Sequence, residues 1–287
     1  MIFRFIVIAL LLSSFAAPLS AGTYVQFRTF WGDIDVELYD EDKPITVRNF
    51  LRYVESGRYE GMFFHRCPTN QQTGFTDFVV QGGGFFVTTN GQIDRIETFG
   101  SIPNEFGVGR RFSNTYGTIA MAKVAGDTNS ASSQFFFNLN DNSFLDAATP
   151  DGYFTVFGRI VGANSTNALN AYRGLSIDRG IKNLSGEFST LPVTYFGTRA
   201  ATLGDLEYAR TSVVNLRITP LTGGDREITW NSLHTNHVYL VQYSTNLPPQ
   251  WQSLISTNGI GRNGETMRVT DAPGSASQRF YRIRVGF

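Results

Sequence analysis

Cysteine is almost missing from this chain. Cys67 is the single one among 287 residues, so no intramolecular disulfide can staple the fold. Histidine is scarce too: His65, His234 and His237 with one cysteine are too few for a closed Cys/His zinc site. Carboxylates are plentiful, but no dense Asp/Asn/Gly calcium loop is present. Net charge is also lacking, because 24 Lys+Arg meet 24 Asp+Glu. That removes the cationic surplus by which nucleic-acid binders neutralise phosphates. After the first dozen residues no apolar run approaches the length of a membrane span. Internal repeats and low-complexity tracts are absent.

What is there is apolar and aromatic. Hydrophobic residues make up 41% of the chain, with 25 phenylalanines and 29 glycines. That composition can bury one large core or two modest ones, and it argues against disorder. The amino terminus reads differently. Arg4 precedes an unbroken apolar stretch at 5–12, and small residues then lead to Ala21-Gly22. This is the layout of a secretory signal peptide over residues 1–21. It implies a mature chain outside the cytoplasm, with no membrane span once the signal is removed.

Alternation predicts a hairpin from Tyr24 to Leu38, turning at Trp31-Gly32. Asp42 is placed to cap a helix over residues 44–56, with Pro44 in its first turn. Short strands are expected at 62–66, 78–81, 117–122, 133–137 and 154–161, and a helix at 165–175. Short strands at this density suggest an antiparallel barrel. Near Pro220, Gly223 and Gly224 the texture breaks. Strand-like segments at 227–230, 238–243, 251–255, 266–269 and 280–285 then read as a small β-sandwich. Residues 212–287 hold seven arginines against four acids, net +3. Residues 22–211 hold 16 basic against 20 acidic residues, net −4. The resulting division is 1–21 signal, 22–218 main domain and 219–287 small all-β module.

Arg66 stands beside aromatics on an apolar stretch, where a guanidinium requires a carboxylate or a ligand. Gln81 closes one apolar run and Gln134 opens another, and buried amides must be hydrogen-bonded. Two readings stay open on spacing: a groove that accepts a neutral amide, or ordinary barrel packing with polar residues at strand ends. Gly82-Gly83-Gly84 lacks the lysine and the following helix of a phosphate loop. Asp33 and Asp35 share a strand face and read as surface charge. His65 is expected to face away from Arg66 and to serve a structural hydrogen bond.

Six fragments in order resemble one family. They are Phe64-His65-Arg66, Phe78-Val79-Val80-Gln81-Gly82-Gly83, Gly117-Thr118-Ile119-Ala120-Met121-Ala122, Ser133-Gln134-Phe135-Phe136-Phe137, Phe144-Leu145-Asp146 and Val156-Phe157-Gly158. Together they resemble the cyclophilin-type peptidyl-prolyl isomerases over roughly residues 24–185. Ser130-Ala131-Ser132-Ser133-Gln134 resembles the bacterial members. The resemblance implies an eight-stranded antiparallel barrel capped by two helices. It places catalytic roles on Arg66 and Gln81. It places substrate binding on Phe78, Val79, Ala122, Lys123, Gln134, Phe136, Phe144, Leu145 and Phe154. Departures from the family pattern are Val79 for a methionine, Phe144 for a tryptophan, Phe154 for a histidine or tyrosine, and a longer 67–77 loop.

The resemblance also implies a reaction without metal or cofactor. A twisted Xaa-Pro amide would be stabilised by the Arg66 guanidinium while apolar side chains hold the proline ring. Partners would be proline-containing unfolded or flexible polypeptides, in a bacterial periplasm or at the cell surface. The alternative is a non-catalytic proline-peptide binder or cell-surface interaction protein on the same scaffold. Trp230, Tyr239, Tyr243, Trp251, Phe280 and Tyr281 resemble small terminal β-sandwich modules of exported bacterial proteins, for which no ligand is assigned.

Overall fold

The computed structural model describes residues 23–69, 74, 76–149, 151–214, 217–231, 238–246, 250–257, 266–272, 274 and 278–286. The expected signal at 1–21, His234, His237 and the middle of the 67–77 loop lie outside these residues. The main body carries β1 (Tyr24–Thr29), β2 (Gly32–Leu38), α1 (Pro44–Glu55), β3 (Val79–Gly82), β4 (Phe85–Val87) and β5 (Ile93–Arg95). It continues through β6 (Thr118–Met121), β7 (Phe135–Asn138), β8 (Val156–Val161), α2 (Gly162–Arg173), β9 (Ile181–Lys182), β10 (Leu191–Pro192) and β11 (Arg210–Val214). Seven strands form one sheet in the order β11-β1-β2-β8-β6-β7-β3. Every neighbouring pair in it is antiparallel.

Residues 62–66 were expected as a strand and are not a regular one. They make isolated bridges, but to both edges of the sheet: Arg66 to Gln81 on β3, and Phe63 to Tyr208 just ahead of β11. The Phe64 N–H donates to the Glu207 carbonyl at 2.9 Å, and the Ala209 N–H donates to the Met62 carbonyl at 3.0 Å. This stretch is the eighth stave that curls the sheet into a barrel. It is buried on both sides. Phe64 enters the barrel core while Phe63 packs into a side cluster with Phe85, Leu191, Val193 and Leu206.

Alternation fills the barrel. Phe27, Ile119, Met121, Phe135, Phe137 and Phe157 point inward and are buried. The Phe27 ring lies 5.4 Å from Phe135 and 5.2 Å from Phe137. α1 covers one opening with Val47, Phe50 and Val54, at the helical spacing expected. α2 contributes Ala168, Leu169 and Tyr172. Asp42 does not cap α1. Its Oδ1 accepts from the Arg110 N–H at 2.7 Å. The free N–H groups of Ile45 and Thr46 instead donate to the Glu105 carboxylate at 3.1 and 2.7 Å. A carboxylate from 60 residues away satisfies the helix start and pins the 99–116 loop to it.

Beyond the barrel lie β12 (Arg217–Pro220), β13 (Arg226–Asn231), β14 (Val238–Ser244), β15 (Gln252–Thr257), β16 (Thr266–Asp271) and β17 (Phe280–Gly286). They form two three-stranded sheets, β12-β13-β16 and β15-β14-β17. Ile228, Trp230 and Val241 are buried between them, with Leu254, Met267, Val269, Tyr281 and Ile283 packed around. Arg217 and Ile218 pair with Thr229 and Ile228, so they share a sheet with the residues after the glycine break. Among the described residues no helix is long and apolar enough to cross a membrane.

Candidate active site

The outward face of β3, β6, β7 and β8 is apolar where an outer face is ordinarily polar. Val79, Ala120, Phe136 and Val156 each sit beside an inward-facing core residue, and all four are buried in a second cluster. Register explains the grouping. Phe136 lies opposite Gln81 on one side and Ala120 on the other. Phe78, Ala122, Leu145 and Phe154 close over this floor, with Phe112 and Tyr39 behind them. The Phe154 ring meets Phe136 edge-on at 5.7 Å. Phe144, 64% exposed, stacks on Phe78 at 5.8 Å. The Lys123 ammonium lies 4.5 Å from the centre of the Phe154 ring, and burial lowers its pKa against the pull of Asp151 and Asp127.

A polar line borders the apolar floor. The Arg66 Nη1 donates to Gln81 Oε1 at 3.0 Å, and the Gln81 Nε2 donates to Gln134 Oε1 at 2.7 Å. Gln81 therefore has both ends of its amide committed. Among the described residues no carboxylate pairs with Arg66. Its backbone is fixed as well, since the Gln81 N–H donates to the Arg66 carbonyl at 2.8 Å. Burial lowers the Arg66 pKa, but a guanidinium stays protonated at neutral pH.

His65 does not simply face away from this line. It is 3% exposed, lies edge-on to Phe85 at 5.0 Å, and interacts with Gln134. Burial first, and then the Arg66 guanidinium, hold its pKa down at about 4. The ring is thus neutral where Arg66 is charged. Cys67, next in sequence, is buried, and burial pushes its thiol up to about 12. Such a thiol is inert. Asp33 pairs with Arg28 at 3.2 Å and Asp35 accepts from the Gln26 Nε2 at 2.8 Å. Both belong to the hairpin and not to the groove.

The triple glycine is steric in origin. Gly83 has φ 76°, and a Cβ there would stand 2.3 Å from the Ser133 carbonyl oxygen. A Cβ on Gly84 would stand 2.9 Å from His65 Cε1 and 3.1 Å from Gln134 Cδ. The bare backbone lets the chain pass directly behind the glutamine pair. The family resemblance named Phe78, Val79, Ala122, Phe136, Leu145 and Phe154 of this groove, but not the floor residues Ala120 and Val156 nor Phe112 and Tyr39 behind them. It also missed three buried asparagines beside the floor, Asn114, Asn138 and Asn142. Asn138 could have been found from alternation, since it follows Phe136 by two. The other two sit in loops and carry no periodic signal.

Known proteins resemble the barrel part of this chain. Residues 24–184 match the family model described as cyclophilin type peptidyl-prolyl cis-trans isomerase/CLD. A peptidyl-prolyl cis-trans isomerase of Acinetobacter baylyi is 40% identical over 141 residues, covering 49% of this chain and 68% of the relative. One of Streptomyces antibioticus is 39% identical over 154 residues, covering 53% and 83%. One of Dickeya dadantii is 38% identical over 158 residues, covering 54% and 76%.

Proposed function

The chain belongs to the cyclophilin-type peptidyl-prolyl cis-trans isomerase family, and we propose that it isomerises Xaa-Pro bonds in the groove over β3, β6 and β7 with Arg66 as the catalytic residue. One observation carries this assignment. A half-buried guanidinium, anchored by Gln81 at 3.0 Å and free of carboxylates among the described residues, borders an apolar cleft built around Phe136.

The physical argument starts from the amide. Resonance holds the Xaa-Pro bond planar, and the barrier to rotation is about 20 kcal/mol. At the twisted transition state resonance is lost and the lone pair localises on the proline nitrogen. A guanidinium N–H can donate to that nitrogen in the twisted state and finds no such acceptor in the planar one. An interaction present only at the transition state accelerates the step. Phe78, Val79, Phe136 and Leu145 hold the proline ring, with Phe144 and Phe154 at the rim. Gln81 keeps Arg66 in place, and Gln134 keeps Gln81 in place. Substrate backbone lies along Ala122-Lys123 beside Gln134. No proton is transferred, so the chemical step is flat in pH around neutrality.

The clients are proline-containing segments of exported proteins, and the setting is a bacterial periplasm or cell surface. This reading is supported by the signal-like residues 1–21 and by the bacterial relatives. The β-sandwich serves placement or attachment. Exchange NMR or a protease-coupled assay on purified residues 22–287 tests the activity with an Ala-Pro peptide. Exchange well above the spontaneous rate, which takes tens of seconds, is expected. A folded protein giving only the spontaneous rate overturns the proposal.

A further inference from the structure

Alongside the groove floor runs a chain of three buried asparagine amides. Asn114 and Asn138 are 0% exposed and Asn142 is 3% exposed. The Asn142 Nδ2 donates to the Phe78 carbonyl and to Asn138 Oδ1, both at 2.8 Å. The Asn138 Nδ2 donates to Asn114 Oδ1 at 3.1 Å and to Thr118 Oγ1 at 2.9 Å. The Asn114 Nδ2 donates to the Phe154 carbonyl at 3.2 Å and to Asp146 Oδ1 at 2.7 Å. Each amide has both donors committed, and the two inner oxygens each accept from the preceding amide.

The ends of this chain are informative. Phe78 and Phe154 close over the groove floor from separate stretches of the chain, and Asp146 directly follows Leu145. Three separate pieces of the wall are therefore tied to one rigid line through β7. The tie works against strain at the rim. Tyr153, the residue before Phe154, is in the left-handed region at φ 58°, where a non-glycine residue must be held. The Asn104 Nδ2 holds the Tyr153 carbonyl at 2.8 Å, and Asn114 holds the next one. Only a carboxamide supplies two donors and an acceptor at this length. A carboxylate supplies no donor, and a hydroxyl supplies one.

We propose that the Asn142–Asn138–Asn114 relay is the positioning element of the proline pocket, setting the spacing between the Phe78 wall and the Leu145–Phe154 rim so that a five-membered ring is selected over a larger one. None of the three touches substrate; they act through the carbonyls they hold. The inference rests on the groove being the substrate site, as argued above.

The test compares an Ala-Pro peptide with its pipecolic acid counterpart, whose ring has six members. Both kcat/KM and Kd are measured for wild type, Asn142→Asp and the exposed-site control Asn140→Ala. Asn142→Asp keeps the side-chain volume and loses both donors. In that variant kcat/KM for Ala-Pro should fall at least tenfold, mainly through KM. The preference for proline over pipecolate should fall at least fivefold in both measurements, with Asn140→Ala unchanged. Equal losses on both peptides, with the preference intact, would mean a purely structural role and overturn the proposal. If Asn142→Asp does not fold, Asn142→Ser is read by the same ratio, since it buries no charge and reaches at most one of the two acceptors. A wild type that binds both peptides without turnover would refute the catalytic reading, while the Kd ratio still decides this one. A wild type that binds neither peptide overturns both.

Discussion

Two buried titratable groups respond to acid in opposite directions. Burial, aided by Arg66, lowers His65 to about 4, below its ordinary value of 6.5. Between pH 6.5 and 4 the unfolded chain takes up a proton that the folded one refuses, so stability falls on acidification. Glu207, 0% exposed, is raised by burial to about 7 from 4.5. Between pH 7 and 4.5 the folded state keeps a proton that the unfolded one loses, so stability rises on acidification. Each displacement is worth roughly 3 to 3.5 kcal/mol at most. The two offset each other across pH 4.5–6.5. Glu207→Gln preserves the oxygen that accepts from the Phe30 N–H at 3.1 Å and the Tyr172 hydroxyl at 3.0 Å. Denaturant unfolding between pH 6.5 and 4.5 should show the variant losing about 2 to 3 kcal/mol more than wild type. Parallel curves would contradict the assignment. At this scale the sequence exposes what alternates and hides what does not. Phe136 was placed in the pocket by the family resemblance, and the alternation of β7 turns it outward between Phe135 and Phe137. Glu207 and Asn114 were not legible, because their partners are far away in the chain.

The same contrast holds for elements. β1, β2, α1 and the five sandwich strands first seen in the sequence carry their own periodicity, and each forms within a few residues of expectation. Residues 62–66 carry apolar side chains without alternation and form bridges in place of a strand. The start of α1 looked capped by Asp42 because local sequence shows only local donors and acceptors. Glu105 reaches that end through the tertiary fold. Gly82-Gly83-Gly84 lacks the features of a phosphate loop, and its role is steric, since Ser133 and Gln134 lie directly against it. Gly83→Ala combines a positive φ with a carbonyl at 2.3 Å from the new Cβ. It should destabilise the protein by roughly 2 kcal/mol or more. It should also lower kcat/KM, because Gln134 must shift. Equilibrium unfolding and turnover on the same variant check both. A silent substitution would contradict the close approach of β3 to residues 133–134.

For the whole molecule, the two bodies have separate hydrophobic clusters, one around Phe27 and Phe135 and one around Trp230. We propose that they divide labour, with isomerisation in the barrel and placement in the sandwich. β12 pairs with β13, so the division is drawn ahead of Arg217 and not at 219. A chain of residues 22–216 should fold and keep kcat/KM within twofold of the full protein on short peptides. A tenfold loss in a well-folded truncation would show that the sandwich shapes the groove. The central claim is that Arg66 acts on the twisted amide and not on ground-state binding, and Arg66→Ala measured for both turnover and peptide affinity tests it most directly. Turnover of an Ala-Pro peptide by exchange NMR should fall by one to three orders of magnitude, about 1.4 to 4 kcal/mol of transition-state stabilisation, while the Kd of the same peptide moves less than about threefold. A folded variant with undiminished turnover, or one whose Kd weakens as much as its turnover falls, would contradict the account.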